Sequence, residues 1–309
     1  MKFLSPWKRL TTASSLNLRL TLTSGQVFTW TEDSEGIWRG VIGSDCIFLK
    51  YTDDVKEEKE NYEQHVFFAH YPPDSEGVEA KLRDFFQLET NMSVLYRDWM
   101  SADETGNFVN VVKDSTYHGL RICRQDPFEC LCAFIISQNN HVKRISSILT
   151  TIRINYGEKL LDLPDGSSLY AWPSLSTLAD VSEDTWRELG LGYRAKYYKL
   201  TTNQLSAMGG SNSLHDLRCD DIFKARETLT SFTGVGRKVA DCVSLFSLDF
   251  KWLVPCDTHV LEISKKYFNK PEKNHDKIQE KFRAIFGEFA GWAHCVLFAA
   301  SLNKRKRAD

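Results

Sequence analysis

Lys238 and Asp257 are the side chains of this 309-residue chain best placed for covalent chemistry. Lys238 follows Phe232-Thr233-Gly234-Val235-Gly236 and opens an apolar helical run; Asp257 stands just past Pro255, ahead of a second one. An amine at the positive end of a helix, in a partly dry setting, loses proton affinity. Once neutral it is a nucleophile able to form a Schiff base. A carboxylate opposite it can stabilise a cationic transition state and help to take the proton. Both residues also have plainer readings, Lys238 as a phosphate contact and Asp257 as the N-cap of the next helix. The turn is equally open: Gly234 and Gly236 either let two packed helices join or expose backbone N–H groups to a phosphate oxygen.

Helices must carry this pair. Val239, Cys242, Val243 and Leu245 recur at helical spacing up to about Asp249, and His259, Leu261 and Ile263 continue the pattern beyond Asp257. The first sixty residues read differently. Val27–Trp30, Ile37–Ile42 and Cys46–Leu49 are β-rich and separated by Asp, Ser and Gly turns, which predicts antiparallel strands. Residues 53–60 read as a charged connector, and residues 74–87 as a helix with Val78, Leu82, Phe85 and Phe86 on one face. From about residue 105 the pattern is helical. Asp126-Pro127 opens one helix, and the paired Asn139-Asn140 mark a break before Arg144. Gly192 permits a bend that sets Tyr193 at a loop tip beside Arg194, and residues 286–302 form an apolar helix bearing His294 and Phe298. The fold class expected is α+β: an antiparallel sheet-plus-helix domain over 1–105, a mainly helical region over 106–302 and a basic tail over 303–309.

A formal net charge of −2 gives no global basic field. Nucleic-acid binding would have to rest on local clusters such as Lys143-Arg144, Arg194 to Lys199, Arg237-Lys238 and Lys304 to Arg307, each of which could equally be a solvated face. The eight cysteines are scattered without disulfide spacing, which favours a reducing compartment. Four clustered thiolates are lacking, so no iron–sulfur cluster is expected, and zinc spacing is absent as well. No apolar run reads as long enough to cross a bilayer, so no membrane partner is expected. Lys304 to Arg307 reads either as a nuclear-localisation cluster or as a plain basic end.

The run GVGRKVADC (234–242) followed by VPCDTH (254–259) resembles the helix-hairpin-helix DNA glycosylase superfamily. SGQVF from Ser24, NN-x-x-x-R from Asn139 to Arg144, GLGYRA from Gly190 and GWAHCVLF from Gly291 make it most similar to the eukaryotic 8-oxoguanine DNA glycosylases. That resemblance implies a bifunctional glycosylase and AP lyase acting on duplex DNA with 8-oxoguanine paired to cytosine. The flipped base would lie among Gly25, Cys242, Asp257, His294 and Phe298, with the Gly25 carbonyl accepting from N7–H, a hydrogen that guanine lacks. Lys238 would attack C1′ and Asp257 assist. Asn139, Arg144 and Arg194 would hold the widowed cytosine, Tyr193 would wedge the stack, and Gly234, Gly236 and His259 would meet phosphates. No redox cofactor or catalytic metal is implied, although hairpin carbonyls could hold a structural cation. The resemblance further implies a monomer serving the nucleus, with the mitochondrion as a second compartment. Three rivals stay open: a sister enzyme for other oxidised or alkylated purines, a non-catalytic damaged-DNA-binding module, and a pure interaction protein that keeps the fold as a scaffold. The chain departs from the family pattern at His294 (Gln in relatives), Ser301 (acidic in relatives) and His141 (the third Asn of a triplet).

Overall fold

The computed structural model describes residues 3–52, 64–268 and 272–306. Five antiparallel strands, β1 (Lys8–Thr12), β2 (Thr31–Glu32), β3 (Trp38–Ile42), β4 (Asp45–Thr52) and β5 (His65–Tyr71), form a sheet in the order β1-β5-β4-β3-β2. A two-residue Gly43-Ser44 turn closes β3 onto β4, with Ile42 opposite Asp45 and Gly43 at φ +62°. The Cys46-Ile47-Phe48-Leu49 run of β4 is apolar without alternation because both faces of the sheet are covered. Ile47 and Leu49 pack with Leu18, Leu82 and Phe86, whereas Cys46 and Phe48 pack with Leu163 on the other side.

One expectation for this region fails. Val27–Trp30 is not a strand; its apolar side chains are buried without entering the ladder, and the Trp30 ring lies where a Gly40 Cβ would be, 2.4 Å away. A short helix, α1 (Leu18–Thr23), precedes it, capped by the Asn17 side chain accepting from Leu20 N–H at 2.9 Å. The helix expected over 74–87 is α2 (Val78–Phe85), and the connector 53–60 lies outside the described residues.

The remaining helices are α3 (Met92–Ala102), α4 (Asn107–Val112), α5 (Pro127–Ser137), α6 (Val142–Tyr156), α7 (Leu175–Asp180), α8 (Glu183–Trp186), α9 (Arg194–Ala207), α10 (Asn212–Asp216), α11 (Ile222–Ser231), α12 (Arg237–Ser247), α13 (Thr258–Phe268), α14 (His275–Phe286) and α15 (Ala290–Lys306). Strands β6 (Lys159–Asp162) and β7 (Ser168–Tyr170) make a small separate hairpin. The seam expected at 105–106 is not a core boundary. Trp99 of α3 donates to the Phe286 carbonyl at 3.2 Å, which places this helix in the large helical core. The basic segment expected as a tail continues α15 as far as Lys306, and residues 307–309 lie outside the described residues.

Within His275–Ser301 one 18-residue window reaches a mean hydropathy of 1.3, although charged residues such as Lys281 and Arg283 interrupt the stretch as a whole. The apolarity of that window serves the core: 61% of it is buried. Gly287 at φ +65° separates α14 from α15, and Gly291 seats α15 so tightly that a Cβ there would meet the Leu253 carbonyl oxygen at 2.3 Å.

Candidate active site

Five segments converge on one pocket, among them the approach to α13 and its first turn, with Pro255, Asp257 and Val260. Helix α12 contributes Lys238, Cys242 and Phe246, four residues apart and therefore on one face. Helix α15 contributes His294, Cys295 and Phe298; α5 contributes Phe134; Ser24-Gly25-Gln26 closes the side. This inner pocket holds about 480 Å³ of empty space and opens into a trough of about 1380 Å³. The trough runs past Ser137–Val142, Thr258 and His259. Lys238, Asp257, Gly25 and Phe298 line both spaces and so stand at their junction, whereas Cys242 and His294 line only the inner one.

Asp257 fulfils both readings of its sequence position. Its Oδ1 accepts from the N–H groups of His259 at 2.9 Å and Val260 at 3.0 Å, capping α13, while its charge acts on Lys238. The Lys238 Nζ sits 5.3 Å from the centre of the Phe134 ring. The expectation of a depressed amine fails at rest. The Cys242 sulfur, more than Asp257, holds the lysine above its ordinary range, with burial opposing them. Burial pushes the Cys242 thiol itself up to about 11, against the pull of Lys238. At neutral pH the pair keeps both protons, as thiol and ammonium, and the sulfur's Coulombic hold on the lysine acts only in the alkaline range where Cys242 ionises. Sequence position alone predicted the helix terminus but not this neighbour. Because the neutral amine is the nucleophile, Schiff-base trapping is expected to accelerate as pH rises from neutral into the alkaline range. A flat single-turnover trapping rate over that range contradicts the assignment.

Gly25 adopts φ +85° with open space where a Cβ would stand, which leaves its backbone accessible from the pocket. Gln26, which the sequence reading passed over, holds this turn in place. Its buried amide donates to the carbonyls of Thr21 at 3.1 Å and Arg121 at 2.8 Å, and accepts from Cys123 N–H at 2.8 Å. The available signal was an amide set beside an apolar run: if buried, it must find partners. Gln26→Ala removes these bonds and leaves the Cys123 N–H unpaired, so unfolding free energy is expected to fall by about 2–3 kcal/mol. Chemical denaturation checks this, and a loss below about 0.5 kcal/mol refutes the bracing role.

The hairpin turn between α11 and α12 is anchored from three sides. Thr201 Oγ1 donates to the Thr233 carbonyl at 3.0 Å, Gln138 Nε2 to the Gly234 carbonyl at 3.0 Å, and Gln204 Oε1 accepts from Thr233 N–H at 2.8 Å. Two of the carbonyls open to a structural cation are thus already engaged by side-chain donors. Gly234, at φ +81°, lies against Tyr197, whose ring carbon would be 2.3 Å from an added Cβ. Gly236 is the N-cap of α12, whose first backbone N–H groups have no intrahelical acceptor. Behind it, buried Asp241 accepts from Arg226 Nε at 2.8 Å and Gln279 Nε2 at 2.8 Å, tying α12 to α11 and α14.

The trough-side residues separate into two groups. Asn139 is exposed and held at φ +47°, Arg144 is exposed with Nη2 donating to the Gly190 carbonyl at 3.1 Å, and Tyr193 is 48% exposed at the Gly190–Gly192 bend. These three present exposed side-chain surface. Arg194 does not: it is 5% exposed and braces the turn, donating to the carbonyls of Gln138 at 2.7 Å and Asn139 at 2.8 Å. His141 accepts from Arg144 N–H at 3.3 Å as the N-cap of α6. The His259 ring meets Phe298 edge-on at 5.9 Å, and Ser301 donates to the Phe298 carbonyl at 2.8 Å. Among the described residues no group of three or more His, Cys, Asp or Glu could hold a metal ion.

The fold and site agree with what is known of other proteins. The 8-oxoguanine DNA glycosylase N-terminal domain matches residues 9–131, and the HhH-GPD superfamily base excision DNA repair protein model matches residues 132–288. The chain is 34% identical to the N-glycosylase/DNA lyase OGG1 of Arabidopsis thaliana, over 96% of this chain and 80% of that protein. It is 29% identical to the N-glycosylase/DNA lyase of Saccharomyces cerevisiae, over 94% and 84%. Among solved structures it is similar to the Clostridium acetobutylicum 8-oxoguanine glycosylase/lyase in complex with double-stranded DNA containing cytosine opposite 8-oxoG. There the TM-score is 0.79 and the identity 25%, over 98% of this chain and 99% of that one. The chain belongs to the 8-oxoguanine DNA glycosylases of the HhH-GPD superfamily, the N-glycosylase/DNA lyases of base excision repair.

Proposed function

We propose that this enzyme excises 8-oxoguanine opposite cytosine by drawing the damaged nucleotide through the trough into the inner pocket, and that Lys238 is its nucleophile. The observation that carries this reading is the position of Lys238 and Asp257 at the junction of the two spaces. A base lodged beyond the junction puts its C1′ atom beside the amine. As the glycosidic bond to N9 breaks, the sugar gains cationic character that the Asp257 carboxylate stabilises. The deprotonated Lys238 forms a bond to C1′, the ring opens to an imine, and loss of the C2′ proton expels the 3′ phosphate by β-elimination. Cys242 and Phe298 flank the base, and the Gly25 carbonyl accepts from N7–H. Ordinary guanine presents a lone pair there and is repelled. Asn139 and Arg144 address the widowed cytosine through amide and guanidinium donors, Tyr193 fills the gap left in the stack, and His259 and the Gly234–Gly236 turn contact phosphates. Arg194 reaches the cytosine only by releasing the carbonyls it now holds.

Single-turnover base release from duplexes carrying 8-oxoguanine opposite each of the four bases tests this reading. Release opposite cytosine is expected to exceed release opposite adenine by about tenfold or more, the value of one bidentate base contact. Equal rates against all four bases remove the role given to Asn139 and Arg144. We further assign the enzyme to the nucleus on the strength of the Lys304–Arg307 cluster; loss of nuclear accumulation on neutralising that cluster is the expected result.

A further inference from the structure

Two loops hold each other by an arginine apiece. Arg144, at the end of the segment 137–144, donates to the Gly190 carbonyl at 3.1 Å. Arg194, at the end of the bend 190–194, returns the contact. Its Nε donates to the Gln138 carbonyl at 2.7 Å, and its Nη2 donates to that same carbonyl and to the Asn139 carbonyl, the latter at 2.8 Å. Tyr193 Oη adds a further donor to the Gln138 carbonyl at 3.3 Å. Arg194 thus clamps the peptide groups on both sides of Asn139, which stands at φ +47°, a conformation that a residue other than glycine keeps when its surroundings impose it. Gln138 faces a second way as well. Its side-chain Nε2 donates to the Gly234 carbonyl at 3.0 Å, in the turn four residues before Lys238, and to the Ile135 carbonyl at 3.2 Å. The backbone of this residue belongs to the clamp, and its side chain belongs to the turn that opens α12.

That double attachment has a consequence for catalysis, which rests on the function proposed above. We propose that Gln138 is a positioning residue that transmits the identity of the opposite base to Lys238. Opposite cytosine, Arg194 and Tyr193 leave the Gln138 carbonyl for the DNA, the clamp on Asn139 opens, and the loop settles against the base. Opposite adenine the amide and guanidinium donors lack their matched edge, and the clamp stays closed. The loop therefore has two arrangements that the opposite base selects, and the Gln138 amide carries the difference to the hairpin turn. A displacement of about 1 Å in a reacting group changes a rate by about 10²-fold, so a small shift of the turn under Lys238 is enough. Discrimination between opposite bases then lies in the release step as well as in affinity.

Release at saturating enzyme, measured with 8-oxoguanine opposite cytosine and opposite adenine, separates that step from affinity. Gln138→Met keeps the length of the side chain and leaves the backbone carbonyl to Arg194 and Tyr193, but it removes the donor to Gly234. The cytosine-to-adenine ratio of release rates is expected to fall from about tenfold or more to below about threefold, with the cytosine preference in electrophoretic binding retained. Gln138→Lys restores a donor of similar reach and is expected to keep the wild-type ratio. An unchanged ratio in Gln138→Met overturns the proposal, even where both rates fall together, because equal losses are the mark of a purely structural anchor. A ratio that collapses equally in Gln138→Lys also overturns it. Should the methionine variant not fold, Gln138→Asn, whose amide is one methylene short of Gly234, takes its place under the same expectation. Wild-type release with no cytosine preference removes instead the reading of the opposite base in the proposed function, and the two failures are thereby distinguished.

Discussion

Lys238→Gln binds a duplex with 8-oxoguanine opposite cytosine within a fewfold of the wild-type affinity, yet releases base at least about 10³-fold more slowly, about 4 kcal/mol in barrier height. Glutamine is close to lysine in length and gives up only the cation–π attraction to Phe134, so the pocket wall stays in place. What is lost is one cation among several phosphate and base contacts, a small fraction of the binding free energy. The nucleophile is lost entirely, and among the described residues no other amine lines the inner pocket. Electrophoretic binding and single-turnover release, measured on the same variant, check both halves. Normal release from Lys238→Gln contradicts the assignment.

Asp257→Asn separates the two duties of the carboxylate. Asparagine is as good an N-cap as aspartate, so the bonds from His259 and Val260 survive and stability is expected to change by less than about 1 kcal/mol. The negative charge beside Lys238 and the developing sugar cation disappears. Base release is expected to fall by about 10² to 10³-fold, the cost of removing one electrostatic stabiliser from a transition state, with lesion binding little altered. If melting temperature and binding collapse together, the carboxylate serves chiefly to start α13.

The site was legible in the sequence to the extent that its residues act through local geometry. The glycine turn, the start of α12 and the carboxylate ahead of α13 are all short-range features, and the structure brings Lys238, Asp257, Cys242, His294, Phe298 and Gly25 to one pocket. The misses have a common cause in distant contacts. Val27–Trp30 has strand composition, but its apolar residues satisfy burial without pairing, a distinction that β propensity does not make. Arg194 lies next to a loop-tip tyrosine, yet its guanidinium folds back onto carbonyls 55 and 56 residues away in sequence. Gln26 is fixed by Arg121 and Cys123, and the proton of Lys238 depends first on Cys242, one turn along the same helix. The unpartnered nitrogens of His294 are invisible to any pattern, because being unpartnered is a property of everything packed around them.

The most direct test of the central claim is borohydride reduction during turnover on an 8-oxoguanine·cytosine duplex, followed by proteolysis and mass spectrometry of the trapped peptide. The account predicts a single deoxyribose adduct, on Lys238. Base release with no adduct, or an adduct on a different amine, contradicts it.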